Sequence, residues 1–368
     1  MRIVYVYPQL AMQGGVERIL IDKMNLLSAV EGYEVYVVTY DQGAHPLAFP
    51  LDERVLHTDL EVRTHAQYQY GGFRRLWEGM KRSRWLRCRM KKVLRQLSPD
   101  IIVATTNGPL SLLTALKGKT PLVVESHGGY HHLIDYASLS LAHRMDIRSR
   151  YHLLHKAAAV VTLTETDAQR WRKEYENVRV IPNLAHLNPT NRYAEGGSRR
   201  LIFVGRFAPQ KGIPSLLDVW RQVSERHPDW QLHLYGCGDE RGLHEVKGLF
   251  VHAPETDIFP RYYESDLLVL TSQWEPFGLV LPEAMSCGLP VISFKGDGPC
   301  DIITDGVDGF LVEQGDVETF VRRVCQLIDD ADLRRQMGQA AIAAARRYAP
   351  EQILPQWKAL FASLHNNQ

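Results

Sequence analysis

The fold is decided by residues 196–212, which read GGSRRLIFVGRFAPQKG. Two glycines lie near the end of a polar stretch, 184–200, that has neither helical nor strand periodicity. A fresh apolar strand, 201–204, starts directly after it and runs into Gly205. The sequence therefore predicts that a second domain begins here, with a strand that leads into a glycine-containing turn.

Short apolar runs alternate with helical patterns along the whole chain of 368 residues. Nine of these runs are predicted to be strands: 3–7, 35–39, 101–105, 122–125, 160–163, 201–204, 231–235, 267–270 and 291–294. Alternation of strands and helices is typical of βαβ units and parallel sheets. Because the chain is too long for one ordinary α/β domain, we predict two Rossmann-like domains, 1–183 and 184–350. A final helix, 351–368, can pack back on the first domain or stay on the second.

The composition is that of an ordinary globular protein with balanced charge. Its 43 Lys and Arg against 42 Asp and Glu give a net charge of +1, which argues against a nucleic-acid partner. Five cysteines, an odd number without a close pair, favour a reducing compartment. The first strand follows Met1 and Arg2 without an apolar signal segment, and no apolar run approaches the roughly 18 residues that span a bilayer. We therefore expect a cytoplasmic protein whose membrane contact, if any, is peripheral.

Residues 74–95 carry a local excess of positive charge. The segment holds ten Lys or Arg and one acid, Glu78, among apolar residues such as Trp77, Met80 and Trp85. A helix that sets aromatic and aliphatic groups beside cations is typical of a membrane interface, with the anionic inner leaflet as partner. A solvated helix whose apolar members cover the sheet explains the same pattern, and both interpretations stay open.

Gly14 and Gly15 follow the first strand and precede apolar residues at helical spacing. Paired glycines at a strand-to-helix turn let backbone N–H groups approach a phosphate or a sugar, helped by the helix dipole. Glycines also occur at such turns only because the backbone conformation requires them. The glycine pair therefore indicates a binding site only in combination with the motifs that follow.

A second candidate site follows the strand 201–204. Gly205 and Arg206 come directly after it, and Lys211 comes five residues later. Ligands of parallel α/β sheets bind beyond the carboxyl ends of strands, so two cations at this point can clamp a diphosphate. The fork of Arg and the compact charge of Lys both suit the negative charge that grows as a pyrophosphate departs.

The most specific motif is EPFGLVLPEAM over residues 275–285, in which Glu275 and Glu283 stand eight residues apart. The turn between them leads into a helix, where the N–H groups of residues 278–280 are open to a phosphate. Glu275 precedes the helix and can face a donor sugar, whereas Glu283 lies on it and can accept ribose hydroxyls. The spacing therefore predicts different ligands for the two carboxylates.

Together these motifs resemble those of the retaining GT-B nucleotide-sugar glycosyltransferases, the large bacterial polysaccharide and lipopolysaccharide group known as family 4 and group 1. The resemblance covers nearly the whole chain and has these anchors: Gly14-Gly15, Ser126-His127-Gly128, Ile181-Pro182-Asn183, Gly205-Arg206, Lys211-Gly212, Gly236–Gly238 and 275–283. It implies two Rossmann-like parallel-sheet domains facing across a cleft, the first on the acceptor side and the second binding the nucleotide sugar. One position departs from a subgroup pattern, since Cys300 stands where an arginine is usual.

The resemblance also implies roles for the matching residues. Arg206 and Lys211 would act on the donor diphosphate, Glu275 on hydroxyls of the transferred sugar, and Glu283 on the ribose. His127 would lie on the C6 side of that sugar and help to hold the reacting centre. The remaining donor-site residues would act chiefly through their backbone: Gly14, Gly15, Gly205, Phe277, Gly278, Leu279 and Val280.

The reaction implied is transfer of a hexose or N-acetylhexosamine, with UDP as the usual carrier in this family. The acceptor would be a saccharide, lipid-linked, in surface polysaccharide or lipopolysaccharide biosynthesis. Same-face attack would retain configuration, and the two cations would offset the leaving charge, so no metal or other cofactor is expected. A nucleotide-sugar 2-epimerase of the same fold and a non-catalytic binding subunit are the alternatives, and the intact Arg206, Lys211 and Glu283 favour the enzyme.

Overall fold

The first sheet is built from short strands that are mostly apolar. In the computed structural model, which describes residues 1–12, 14–130, 148–149 and 151–366, it contains seven parallel strands. They are β1 (Arg2–Tyr7), β2 (Glu34–Thr39), β3 (Leu56–Asp59), β4 (Ile101–Thr105), β5 (Leu122–Glu125), β6 (Ala159–Thr162) and β7 (Val178–Val180). Their order is β3-β2-β1-β4-β5-β6-β7. The fully buried β4 and β5 are typical of central strands that are covered on both faces.

Four helices connect these strands within the described residues: α1 (Gly15–Ser28), α2 (Gly72–Leu97), α3 (Leu110–Leu116) and α4 (Glu165–Trp171). α1 begins at the glycine pair, because Gly14 is extended and serves as its N-cap. Ile19, Met24 and Leu27 lie on the buried side of this helix. The same face carries a lysine, Lys23, which is buried as well.

The second sheet lies within residues 182–353, all of which the structure describes, and has six parallel strands. They are β8 (Arg200–Val204), β9 (Gln231–Tyr235), β10 (Leu249–His252), β11 (Leu267–Leu270), β12 (Val291–Phe294) and β13 (Gly309–Val312), in the order β10-β9-β8-β11-β12-β13. The helices are α5 (Ile213–Arg226), α6 (Phe259–Tyr263), α7 (Val280–Ser286), α8 (Asp297–Ile302), α9 (Val317–Asp329) and α10 (Ala331–Ala345). Asp316 and Asp330 cap the last two by accepting hydrogen bonds from N–H groups three residues on, at 2.9 and 2.8 Å.

Both sheets share one topology. In each, the first three strands along the chain are added towards one edge, and the later strands are added on the other side of the first strand. The direction reverses between β1 and β4 in the first sheet and between β8 and β11 in the second. Ligands of such sheets bind beyond the carboxyl ends of the strands at this reversal point. All nine predicted strands are present, and the prediction of two parallel-sheet α/β domains is confirmed. The four strands that were not predicted, β3, β7, β10 and β13, are the edge strands.

The chain divides into two units. One comprises Met1–Leu163, Asp167–Ile181 and Leu354–Gln368, and the other comprises Thr164–Thr166 and Pro182–Ile353. The change of unit after Ile181 lies two residues before the predicted boundary. Thr164–Thr166 also differ from the sequence-based division, because the Asp301 carboxylate accepts hydrogen bonds from the N–H groups of Glu165 and Thr166. The last helix, α11 (Pro350–Asn366), contributes most of its length to the first unit.

The basic segment lies in α2, whose two halves differ. The C-terminal half buries Leu86, Met90 and Leu94 in the core of the first sheet. The N-terminal half leaves four large apolar side chains exposed: Phe73, Leu76, Trp77 and Met80. The interpretation of the basic segment as a helix that covers the sheet therefore explains the C-terminal half of α2 but not its N-terminal half. No helix in the described part of the chain, α2 included, is long and apolar enough to cross a membrane.

Candidate active site

The loop after β8 carries the two predicted cations. Gly205 and Arg206 follow the strand, and Lys211 ends a short 3-10 turn before α5. The next residue, Gly212, has a φ of +64°, and a Cβ on it would stand 2.0 Å from the carbonyl oxygen of Thr271, just after β11. Only glycine allows this loop to approach the neighbouring strand so closely.

Lys211 and Glu275 form an ion pair at the reversal point of the second sheet. Lys211 Nζ lies 2.5 Å from Glu275 Oε2, and the Ser272 hydroxyl donates to the same oxygen at 3.1 Å. Lys211 comes from the loop after β8 and Glu275 from the loop after β11, and these two strands are paired. Both side chains are largely buried. The structure thus brings together two predicted site residues that are 64 positions apart.

Arg206 differs from Lys211 in its surroundings. Its side chain is exposed, and within the described part of the chain it has no ion pair or side-chain hydrogen bond. The loop beneath it is fixed, since the Phe207 N–H donates to the Cys237 carbonyl at 2.7 Å and so joins the loops after β8 and β9. The Lys211 ammonium is therefore held by an ion pair, whereas the Arg206 guanidinium keeps its N–H donors available on a loop whose backbone is fixed.

The turn that follows Glu275 presents backbone donors. The Phe277 ring is buried and meets Tyr348 edge to face, with centroids 5.4 Å apart. Leu279 comes directly before α7, which begins at Val280. Among the described residues, no acceptor pairs with the N–H groups of Gly278, Leu279 and Val280. The side chain of Phe277 therefore anchors the turn, and three N–H groups are left for an anionic ligand.

Glu283 lies on α7 with its carboxylate held in place. The Tyr262 hydroxyl, from α6, donates to Glu283 Oε2 at 3.4 Å. Both residues are buried, and the Ser286 hydroxyl donates to the Glu283 carbonyl at 2.6 Å. The two glutamates of the motif thus have different partners, a lysine for Glu275 and a tyrosine for Glu283.

In the first unit, His127 follows β5 and contacts the last residue of that strand. His127 Nε2 lies 3.1 Å from Glu125 Oε2, and the Lys23 ammonium on α1 donates to the same oxygen. Lys23 and Glu125 are each 2% exposed. Burial alone would raise the pKa of the Glu125 carboxyl, but Lys23 and His127 outweigh it, and the pKa lies below its ordinary value. Burial lowers the pKa of Lys23 although Glu125 opposes this.

Aromatic rings cover the buried ammonium. Lys23 Nζ lies 4.0 Å from the centroid of the Trp357 ring on α11 and 5.5 Å from that of Tyr5 on β1. Such cation–π contacts gain strength when the charge is withdrawn from water. The C-terminal helix therefore completes the surroundings of the ion pair beneath His127.

The glycine turn after β1 has a carboxylate beside it. Gly14 precedes α1 and Gly15 is its first residue. Glu17 Oε1 accepts a hydrogen bond from the Tyr7 hydroxyl at 2.9 Å, and Glu17 Oε2 fills the space that a Gly14 side chain would need. His127 and the glycine pair thus belong to one unit, whereas Arg206, Lys211 and both motif glutamates belong to the other.

Sequence reasoning missed several residues that contact the predicted site residues within each unit. Lys23 had a signal, since it stands four residues from both Ile19 and Leu27 on an apolar helix face. Glu125 ends a buried strand two residues before His127. Ser272 and Tyr262 gave no signal, because their contacts depend on the tertiary fold. Within the described residues, no three His, Cys, Asp or Glu side chains lie together as a metal site would require.

Two family descriptions together match nearly the whole chain. "Glycosyltransferase Family 4" matches residues 13–188, and "Glycosyl transferases group 1" matches residues 191–344. These matches define the class, a two-domain glycosyltransferase. The chain belongs to the GT-B glycosyltransferases of group 1, as its motifs predicted.

Several curated relatives are glycosyltransferases as well. An uncharacterised glycosyltransferase of Haemophilus influenzae is 26% identical over 94% of this chain and 96% of its own length. The amylovoran biosynthesis glycosyltransferase AmsD of Erwinia amylovora is 33% identical over 55% of this chain and 61% of its own. The lipopolysaccharide core biosynthesis glycosyltransferase LpsE of Rhizobium meliloti is 26% identical over 68% of this chain and 72% of its own.

Solved structures share the fold. Sucrose-phosphate synthase from Thermosynechococcus elongatus superimposes with a TM-score of 0.80 over 100% of both chains, at 19% identity. Anabaena HepE in complex with UDP-glucose gives a TM-score of 0.74 over 99% of this chain and 100% of its own, at 21% identity. These similarities establish the GT-B fold, and with the family matches they identify the protein as a glycosyltransferase enzyme.

Proposed function

We propose that this enzyme transfers a hexose or N-acetylhexosamine from a UDP-sugar to a lipid-linked saccharide, with retention of configuration, in surface polysaccharide or lipopolysaccharide biosynthesis. The observation that carries the proposal is the Lys211–Glu275 pair at the reversal point of the second sheet, with the exposed Arg206 on the same loop. Two cations at the carboxyl ends of parallel strands suit a diphosphate.

In the proposed reaction, the bond between the anomeric carbon and a diphosphate oxygen breaks, and that carbon bonds to an acceptor oxygen. Arg206 and Lys211 stabilise the charge that develops on the departing diphosphate. The acceptor's proton passes to the departing diphosphate oxygen on the same face of the sugar. Retention therefore follows without a side chain that acts as a general base.

Each carboxylate has its own task in this scheme. Glu275, oriented by Lys211 and Ser272, accepts hydrogen bonds from hydroxyls of the transferred sugar. Glu283, oriented by Tyr262, accepts those of the ribose. The backbone donors of residues 278–280 bind phosphate oxygens, Gly14 and Gly15 add backbone groups on the donor side, and His127 contacts the transferred sugar.

The enzyme is proposed to need neither a metal nor another cofactor. Arg206, Lys211 and three backbone N–H groups offer enough positive character for a diphosphate without a cation. A UDP donor is supported by structural similarity to HepE, which was solved with UDP-glucose. The names of AmsD and LpsE support an acceptor in polysaccharide or lipopolysaccharide assembly.

A panel of UDP-, GDP- and ADP-sugars tests the donor and the site. Thermal shift and slow donor hydrolysis are measured with and without chelator, for the wild type and for Arg206→Ala and Glu283→Gln. We expect one UDP-sugar to raise Tm and to be hydrolysed in chelator, and both substitutions to abolish these effects. Arg221→Ala is the matched control, because Arg221 is an exposed arginine of α5 paired with Asp218.

Other outcomes would contradict the proposal. Binding of a GDP- or ADP-sugar would overturn the UDP assignment, and loss of hydrolysis in chelator would overturn metal independence. An epimerised sugar without transfer would favour the 2-epimerase alternative. A binding subunit would bind donor without consuming it. Once an acceptor is known, NMR of the anomeric centre in the product tests retention.

We also propose that the enzyme works in the cytoplasm, against an anionic membrane surface. All five cysteines are unpaired thiols, which suits a reducing compartment. The membrane surface is formed by the N-terminal half of α2 and the preceding 3-10 turn, Thr64–Gln69. It exposes five large apolar side chains: Tyr68, Phe73, Leu76, Trp77 and Met80.

Cations accompany these exposed side chains. Arg74 lies over the Tyr70 ring at 4.3 Å from its centroid, Arg75 over Tyr68 at 4.6 Å, and Lys81 over Trp77 at 5.0 Å. Aromatic rings flanked by Arg and Lys suit the headgroup region of a bilayer with anionic lipids. An acceptor on a lipid would be presented at the same surface.

Flotation with vesicles of phosphatidylcholine, with and without phosphatidylglycerol, tests this surface. We expect binding that requires the anionic lipid and is lost in Phe73→Ser/Trp77→Ser. Phe250→Ser is the control, because Phe250 is an exposed aromatic residue of the second unit. Equal binding to neutral vesicles, or no effect of the double substitution, would remove the membrane claim.

A further inference from the structure

We infer that Glu125 is a positioning residue for His127, and that Lys23 and Trp357 keep its buried carboxylate charged for that purpose. The inference rests on the proposed role of His127 at the transferred sugar and adds the residues that orient its ring. It depends on three contacts inside the first unit: His127 to Glu125, Glu125 to Lys23, and Lys23 to Trp357.

The carboxylate selects one form of the imidazole. His127 Nε2 lies 3.1 Å from Glu125 Oε2, and an ionised carboxylate only accepts hydrogen bonds. The proton of the ring is therefore held on Nε2, and Nδ1 is the nitrogen that is left for a ligand. In the described residues, no side chain or backbone group pairs with Nδ1.

A carboxylate at this depth needs a counter-charge. Glu125 is 2% exposed at the end of β5, and an unpaired charge in such a place would take up a proton instead. Lys23 supplies that charge from α1, and the Trp357 ring covers the ammonium on another side. Glu125 also lines a small pocket with Tyr5 and Thr105, whose hydroxyls have no partner in the described chain.

Stability alone does not account for this arrangement. A buried ion pair generally adds little to stability over apolar side chains of similar volume, since both charges lose their hydration. The pair lies directly beneath the one histidine that the motifs of the first unit single out. It also joins α1, which starts at the glycine turn, to the end of β5, two residues before His127. These observations favour a role in holding His127.

Two double variants separate positioning from stability. Lys23→Met/Glu125→Leu removes both charges and the acceptor for His127, whereas Lys23→Met/Glu125→Gln removes both charges but retains an acceptor oxygen. We expect similar Tm values for the two. We expect kcat of transfer to fall about 10²-fold in the first variant and about 10-fold in the second, because an amide can accept from the ring but can also donate to it and so no longer excludes the other form. The affinity for UDP should be unchanged in both.

A spectroscopic measurement reports on the ring itself. The ¹⁵N shifts of His127 should show the Nε2-protonated form in the wild type, a partial loss of that form in the glutamine variant, and an even mixture of forms in the leucine variant. Equal kcat in the two double variants, or unaltered ¹⁵N shifts in the leucine variant, would overturn the inference. If His127→Ala itself transfers sugar at the wild-type rate, the proposed function of this residue fails instead, and the shifts still test the geometry.

Discussion

Gly298 lies directly against the backbone of Phe277. A Cβ on Gly298 would stand 1.9 Å from the Phe277 carbonyl oxygen, and the Gly298 N–H donates to the Glu275 carbonyl at 2.9 Å. α8 therefore supports the turn of the 275–285 motif from behind. We expect Gly298→Ala to displace this turn, to lower the free energy of unfolding by about 1–3 kcal/mol and to weaken UDP binding.

Thermal unfolding and calorimetric titration with UDP check this prediction. Gly296→Ala is the matched control, because Gly296 lies two residues away with extended backbone, and a Cβ there would meet ordinary contacts of 3.5 Å or more. A Gly298→Ala protein that binds UDP like the wild type would show that the turn does not bind the nucleotide.

The Lys211–Glu275 pair is predicted to matter for both stability and catalysis. Lys211→Met leaves the largely buried Glu275 carboxylate with the Ser272 hydroxyl and no cation. Loss of one partner of a buried pair costs on the order of 3 kcal/mol. We expect a lower Tm and a loss of transfer that is at least as large as that of Arg206→Ala, measured as kcat/KM.

Lys295→Met serves as the comparison. Lys295 is paired with Glu313 on the surface, where an ion pair is worth roughly 0–1 kcal/mol. Stability and transfer should therefore stay close to wild type. If both lysine variants behave alike, the Lys211–Glu275 pair has no special function.

The stacked histidines of β9 and β10 are predicted to make the second unit sensitive to acid. His233 Nδ1 lies 2.9 Å from His252 Nε2, and burial, with Arg200 and His252 nearby, lowers the pKa of His233 to about 4, against the opposing effect of Glu264. In the unfolded chain, the pKa of a histidine is near 6.5. Between pH 4 and pH 6.5, His233 therefore binds more protons in the unfolded protein than in the folded one. The contribution of neutral His233 to the free energy of unfolding is therefore fully present above about pH 6.5 and is lost as the pH drops towards 4.

His233→Phe keeps a ring in the stack and removes the titration. We expect its Tm to change less between pH 6.5 and pH 4 than that of the wild type, as followed by scanning calorimetry. His244→Gln is the control, because His244 is exposed and paired only with Glu240 at 3.2 Å in the described structure. An unchanged pH dependence in His233→Phe would contradict the assignment.

The C-terminal helix is predicted to stabilise the first unit. Trp357 is buried over Lys23, and its ring lies 5.5 Å from that of Phe361. Trp357→Ala should cost about 3–5 kcal/mol, because it leaves a cavity and uncovers the buried ammonium. UDP binding, which we assign to the second unit, should be retained. Trp77→Ala is the control, since Trp77 is half exposed.

The four edge strands show where sequence patterns lose their information. β3 reads LHTD and is mostly exposed, and β7 reads VRV and is only partly buried. β10 and β13 also lie at sheet edges, but they read LFVH and GFLV, and β13 is mostly buried. In the first sheet, the edge strands are covered less than the central ones and need fewer apolar residues, so their pattern hardly differs from that of a loop. The central strands carry long Val, Ile and Leu runs and were all predicted.

The candidate-site residues were also chosen from patterns that are local in the sequence. Glycines, cations and glutamates near the carboxyl ends of predicted strands are visible in the sequence, because parallel sheets bind ligands there. The split of α2 into a buried and an exposed half was not visible, since its apolar residues occur along its whole length. Asp301 likewise gave no sign that it would hold the start of α4.

By itself, the sequence determined the class of fold, the central strands and the family, because these depend on periodicity and on short motifs that are local in the chain. The tertiary structure alone decided which residues meet. Lys211 reaches Glu275 because β8 and β11 are neighbours in the sheet, and Lys23 reaches Glu125 because the fold brings a side chain of α1 to the last residue of β5, under the ring of Trp357. Burial then strengthens the electrostatic attraction within these pairs, because the dielectric constant is lower inside the protein than in water. Burial is a property of the packed fold, and no local sequence pattern contains it.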